Sequence, residues 1–117
     1  MRTNSSRTTG FTLVELMVVV AIIALLAALA LPNFVKARTS SQKAACITNL
    51  RQMDGAKAVW ALEAKKAVTD SPNDTDLFGA TQYIQQKPPC PGGGTYIVDI
   101  VGNRPICSRG TSDGHTI

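Results

Sequence analysis

Residues 11–31 read FTLVELMVVVAIIALLAALAL, a run whose only polar side chains are Thr12 and Glu15. As a helix rising about 1.5 Å per residue, it is roughly 31 Å long, the thickness of a bilayer's hydrocarbon core. On its N-terminal side stands MRTNSSRTTG, polar, carrying Arg2 and Arg7 and ending at Gly10. On the other side Pro32 follows, and Lys36 and Arg38 are the first basic residues beyond it. An ionisable residue inside such a run is unfavourable, by about 2.5–3.5 kcal/mol at the centre of a span and less near its end. Glu15 therefore needs a partner.

Beyond Pro32 helical periodicity resumes. Ile47, Leu50, Met53, Lys57, Trp60, Ala61 and Ala64 fall on one face, with the Lys57 stem lying along the stripe, while Gln42, Lys43, Asn49, Gln52 and Asp54 occupy the others. One helix is expected from Phe11 to about Lys66, roughly 80 Å long, bent or interrupted at Pro32. Any melted stretch should lie at Ala28 to Leu31, just before the proline. Gly55 weakens the second half by about 1 kcal/mol relative to Ala. The helix should stop near Ala67, before the turn-rich stretch that contains Pro72 and Asn73. Asp74 or Thr75 is expected to cap a short helix holding Leu77, Phe78, Tyr83 and Ile84. Thr95 to Val101 reads as a strand, Gly102 to Pro105 as a turn, and Ile106 to Ser108 as a return strand. The tail from Arg109 carries no assignment, and His115 within it is given no role.

Composition excludes several classes. The net charge of +4 owes two units to Arg2 and Arg7; without residues 1–10 it is +2, and no basic stripe interleaved with aromatics appears, so no nucleic acid is expected. With one His, no CxxC and no phosphate loop, an enzyme is not expected, nor is a cofactor. Gly92-Gly93-Gly94 lies between a cysteine and a strand and reads as a turn. Asp70, Asn73, Asp74 and Asp76 lack the glycine and terminal glutamate of an EF-hand loop and read as a solvated turn. The six aromatic residues are spread along the chain and read as packing residues. Three cysteines, Cys46, Cys90 and Cys107, permit one disulfide and one spare thiol.

Gly10-Phe11-Thr12-Leu13-Val14-Glu15-Leu16, with the basic leader before it and the apolar run after it, resembles the processing motif of type IV prepilins and type II secretion pseudopilins. The likeness covers residues 1 to about 66. The later Cys90-Pro91-x-Gly93-Gly94-x-Tyr96, followed by Cys107, is similar to short bacterial pilin-like proteins whose small head carries one bridge. The resemblance implies an α+β fold in which one long N-terminal helix carries a small antiparallel β head stapled by a disulfide. It implies four segments: a cleaved leader 1–10, a membrane and filament-core helix 11–32, an amphipathic half 33–66, and a head 67–117. A prepilin peptidase would cut between Gly10 and Phe11, Phe11 would be N-methylated, and its ammonium would pair with Glu15 of a neighbouring subunit. Pro32 is the expected helix break. The partners implied are further copies of the chain, an inner-membrane platform protein, an assembly ATPase and, before assembly, the lipid bilayer. The precursor would cross the bacterial inner membrane with its N-terminus cytoplasmic, as Arg2 and Arg7 favour. The assembled form would be an extracellular pilus or a periplasmic pseudopilus.

A Cys90–Cys107 bridge closes a loop of about 17 residues, worth about 3 kcal/mol in a chain-entropy account. Unpaired thiols and a zinc site are the alternatives; for zinc only Cys46, His115 and scattered acids remain as further ligands, so the bridge is preferred and no metal is assigned. Cys46 reads as a small buried hydrophobe, with a bridge between subunits as a minor alternative. At the level of the whole chain, Ala28-Leu29-Ala30 fits a secretory cleavage site, but the apolar run exceeds the usual 7–15 residues. A plain membrane-tethered binding module explains the run but neither Gly10 nor Glu15.

Overall fold

The computed structural model describes residues 9–117. Residues 1–8, with Arg2 and Arg7 of the expected leader, lie outside the described residues. The chain divides into two units, Met1–Lys36 and Ala37–Ile117. Helix α1 is Leu13–Glu63, followed by α2 (Asp74–Leu77), β1 (Tyr96–Ile97), β2 (Ile106–Cys107) and α3 (Gly110–Asp113).

In the first unit, every side chain from Thr9 to Lys36 is exposed. Helix formation there satisfies backbone groups but buries nothing. Pro32 does not end the helix: α1 passes through it, and Ala28 to Leu31 are helical. Proline removes one intrahelical donor, and next to it the Asn33 side-chain amide reaches back to the Leu29 carbonyl at 3.4 Å. The break expected at Pro32 is thus absent from this structure.

In the second unit, Cys46, Leu50, Met53, Lys57 and Trp60 recur at alternating steps of four and three and form the buried stripe, with Ala56 beside it. Of the expected stripe, Ile47 and Ala61 are half-buried and Ala64 is exposed. The core is completed by Leu77, Cys90, Tyr96, Val98 and Cys107. The helix closes slightly earlier than expected. The Lys66 amide donates to the Ala61 carbonyl at 2.9 Å, with Lys65 left-handed at φ 50° between them, the six-to-one closure of a Schellman turn.

Three elements are shorter than their sequence suggests. Helix α2 ends at Leu77, and Ile84 returns to form a parallel bridge with Phe78, so Tyr83 and Ile84 are not helical. The Asn73 amide donates to the Asp76 carboxylate at 2.8 Å and starts that helix. Strand β1 pairs with β2 in register Tyr96↔Cys107 and Ile97↔Ile106 and then stops. Asp99 turns left-handed at φ 59°, and the backbone beyond Ile97 leaves the ladder for a side chain.

That side chain is Lys57. It is 1% exposed, so its head group as well as its stem is buried. Its ammonium donates to the carbonyls of Val98 at 3.1 Å, Ile100 at 2.9 Å and Asn103. Burial pushes its pKa down, while Asp54 and Asp99 pull it back up. The loop around it is tied to the segment after α1 by Val101 N–H to the Asp70 carbonyl and Gly102 N–H to that of Val68, both 2.8 Å.

Two substitutions test this packing, read as thermal melts of the detergent-solubilised chain by Trp60 fluorescence. Lys57→Met orphans three carbonyls and is expected to destabilise the second unit by about 3 kcal/mol. Gly55→Ala, where an added Cβ meets nothing within 4 Å, is expected to stabilise it by about 0.5–1 kcal/mol.

Candidate functional site

The processing and assembly residues predicted from sequence sit where α1 begins. Gly10, Phe11 and Thr12 precede the first helical residue, and a Cβ added at Gly10 would meet nothing within 4 Å. The Gly10–Phe11 peptide is therefore non-helical and open to approach. Phe11 is 96% exposed.

Glu15 already has a local partner. Its Oε2 accepts the Thr12 N–H at 2.9 Å, and the Thr12 Oγ1 accepts the Glu15 N–H at 3.2 Å. This is a capping box, threonine followed three residues later by glutamate, and it satisfies two of the donors a helix start leaves over. The Thr12-Leu13-Val14-Glu15 spacing carries this cap in the sequence itself, beside the partner that cleavage is expected to create. The two roles are compatible. A carboxylate has about four acceptor sites, and the cap takes one.

The second unit assembles a group that sequence reading kept apart. Cys46 comes from α1, Cys90 from the turn before β1, Cys107 from β2 and His115 from the segment after α3. All four are buried, and their ligand-type atoms lie within 4.8 Å of one another. The Cys90 and Cys107 sulfurs are 3.7 Å apart and not bonded, so the expected bridge is not formed in this structure. His115, read as a bystander in a tail, is 3% exposed with its Nδ1 3.9 Å from the Cys90 sulfur. Helix α3 and the left-handed Gly114 (φ 69°) turn it inward. No local pattern announces that.

The electrostatics differ from one sulfur to the next. Burial pushes the Cys46 thiol up to about 12, against a hydrogen bond from Tyr96. Burial also raises Cys90, but the amides of Gly94 and Gly92, with His115, outweigh it and bring that thiol down to about 6. The Tyr96 hydroxyl, itself raised by burial, receives the Asn49 side-chain amide at 3.0 Å. The acids of the 70–76 stretch are engaged locally: Asp70 accepts the Ala67 amide, Asp76 that of Asn73, and Asp74 pairs with Lys87 at 2.8 Å.

Comparison with known proteins bears on the N-terminal residues first. A family profile described as "Prokaryotic N-terminal methylation motif" matches residues 5–31. The chain is 39% identical over 115 residues to a fimbrial protein of Pseudomonas aeruginosa, covering 92% of this chain and 72% of that one. Over 47 residues it is 53% identical to the type IV major pilin protein PilA of Myxococcus xanthus, which spans 40% of this chain and only 21% of that protein. It is 27% identical over 108 residues to the type II secretion system core protein G of Klebsiella michiganensis, covering 82% and 75% of the two chains. No solved structure matches.

The turn beside the thiols leaves no room for a side chain at Gly94, where a Cβ would lie 2.7 Å from both the Cys107 sulfur and Arg109 Cγ. Gly94→Ala is expected to destabilise the second unit by about 1–3 kcal/mol, seen as an earlier Trp60 unfolding transition.

Proposed function

The chain belongs to the family of type IV pilins and type II secretion pseudopilins, and from that premise we propose that it is the subunit of a surface pilus, polymerised through the apolar half of α1. That it is a pilin-like structural subunit follows from the family. The pilus is preferred over a periplasmic pseudopilus because the likeness to the fimbrial protein, 39% over 115 residues, exceeds that to the secretion protein, 27% over 108.

The observation that supports polymerisation is the bare helix. From Leu13 to Leu31, α1 exposes an almost wholly apolar surface, and the helix is long and apolar enough to cross a membrane. In the precursor, lipid covers that surface. In the filament, the same surface of neighbouring subunits covers it. A heterologous contact repeated without closure yields a helical fibre. A platform protein and an ATPase would drive the transfer from one environment to the other.

Leader removal prepares the contact. A prepilin peptidase cuts the open peptide after Gly10, the new Phe11 amine is methylated, and its ammonium meets Glu15 of the next subunit. In a low-dielectric core an unmatched charge costs about 3–5 kcal/mol. The pair therefore penalises wrong registers while apolar burial supplies the affinity. Glu15 keeps its cap on Thr12 and offers its remaining acceptor sites to the ammonium.

Two variants separate capping from pairing, with the yield of sheared thin fibres under the electron microscope as the measure. Glutamine also closes a capping box, so Glu15→Gln keeps the helix start and loses only the charge. Both Glu15→Gln and Glu15→Ala are expected to lower fibre yield at least about tenfold while the protein still enters the membrane. Wild-type yield from Glu15→Gln would reduce Glu15 to a helix cap. An absence of surface fibres from the wild-type chain would favour the periplasmic pseudopilus.

A further inference from the structure

We propose that Cys46, Cys90, Cys107 and His115 form a tetrahedral zinc site that clamps the second unit together. In such a site, zinc–sulfur bonds of about 2.3 Å and a zinc–nitrogen bond of about 2.0–2.1 Å place ligand atoms roughly 3.5–3.8 Å apart. The Cys90–Cys107 separation is 3.7 Å, that from the Cys90 sulfur to His115 Nδ1 is 3.9 Å, and no pair exceeds 4.8 Å. A disulfide would use two of the four groups. It would leave a buried thiol and a buried imidazole converging on the same point without purpose.

The surroundings suit a bound thiolate set. Three thiolates and a neutral imidazole on Zn²⁺ carry one net negative charge, and a buried charge needs donors. The Gly92 and Gly94 amides favour the thiolate of Cys90, and the Tyr96 hydroxyl favours that of Cys46. Because the Tyr96 oxygen accepts from Asn49, its own proton is free for that sulfur. The glycines of the Cys90-Pro91-Gly92-Gly93-Gly94 turn now have a reason. A Cβ at Gly94 would strike the Cys107 sulfur at 2.7 Å, and one at Gly92 would lie 3.0 Å from His115 Cε1. The backbone must pass this close to enclose the ligands.

Four ligands from protein, all buried, leave no open position, so the site is structural. Soft thiolate ligands with one imidazole in a tetrahedral set select zinc over oxygen-seeking cations. Each thiol releases its proton to solvent as the metal binds. One ion then joins α1, the turn before β1, strand β2 and the segment after α3.

The full chain, solubilised in detergent and reduced, is titrated with Zn²⁺ and, separately, with Co²⁺ as an optical probe. The expected result is one metal per chain, with cobalt giving sulfur-to-metal charge transfer and the strong visible bands of a tetrahedral site. All three cysteines should resist alkylation until a chelator is added. Cys46→Ser, nearly isosteric, and His115→Ala should each weaken zinc binding by more than about 100-fold, beyond what loss of a supporting hydrogen bond costs, with Trp60 emission reporting the fold. Failure of the unmodified chain to bind either metal would overturn the proposal. So would wild-type affinity in Cys46→Ser, or native fibres in which peptide mapping finds Cys90 linked to Cys107.

Discussion

From Leu13 to Leu31, α1 pairs its interior backbone groups within itself, so its outward face is nearly pure hydrocarbon, exposed among the described residues. Burying one such aliphatic side chain is worth about 1.5–3 kcal/mol, and the run contains more than a dozen. A surface of that size has to be covered by something apolar. Lipid and the same helix in other subunits are physically similar environments, so exchanging one for the other needs little net change in apolar burial. Selectivity must then come from a polar feature, and Glu15 is the acid in that run.

The second unit solves the opposite problem. It has too little chain for a large core, and domains of this size are marginal unless stapled. Two polar devices supplement the apolar stripe. Lys57 gathers three carbonyls, those of Val98 and Ile100 from the expected strand and that of Asn103 from the turn after it, trading strand length for a knot between α1 and the loop after β1. The converging thiols and imidazole join parts of the chain that the sheet, only two strands among the described residues, does not hold. Both devices use the same face of α1, with Cys46 near one end of the stripe and Lys57 near the other.

The places where the structure departs from sequence expectation share a cause. The strand expected over Thr95–Val101 was inferred from β-branched residues, which report a local preference. It stops after Ile97 because a lysine some forty residues earlier offers the carbonyls a better partner. The missing N–H of Pro32 points to a break, yet a lone proline costs a helix one bond and the neighbouring turns carry it. The helix expected through Ile84 was cut short when the chain turned back to pair with Phe78.

What the sequence alone determined is whatever depends on neighbours in the chain. The apolar run and the three-and-four spacing of the second half of α1 are set by period and length, and those express the geometry of a single helix; the Thr12–Glu15 spacing of the capping box is equally local. What only the tertiary structure decided is which distant residues meet. Cys46 and His115 are separated by most of the second unit, and the inward turn of the tail depends on Gly114 and the packing around it. Cysteine spacing could leave a bridge or a four-ligand cluster open as alternatives; the convergence of four buried groups on one point exists only once the chain has closed around them, because it depends on long-range packing, which no local preference encodes.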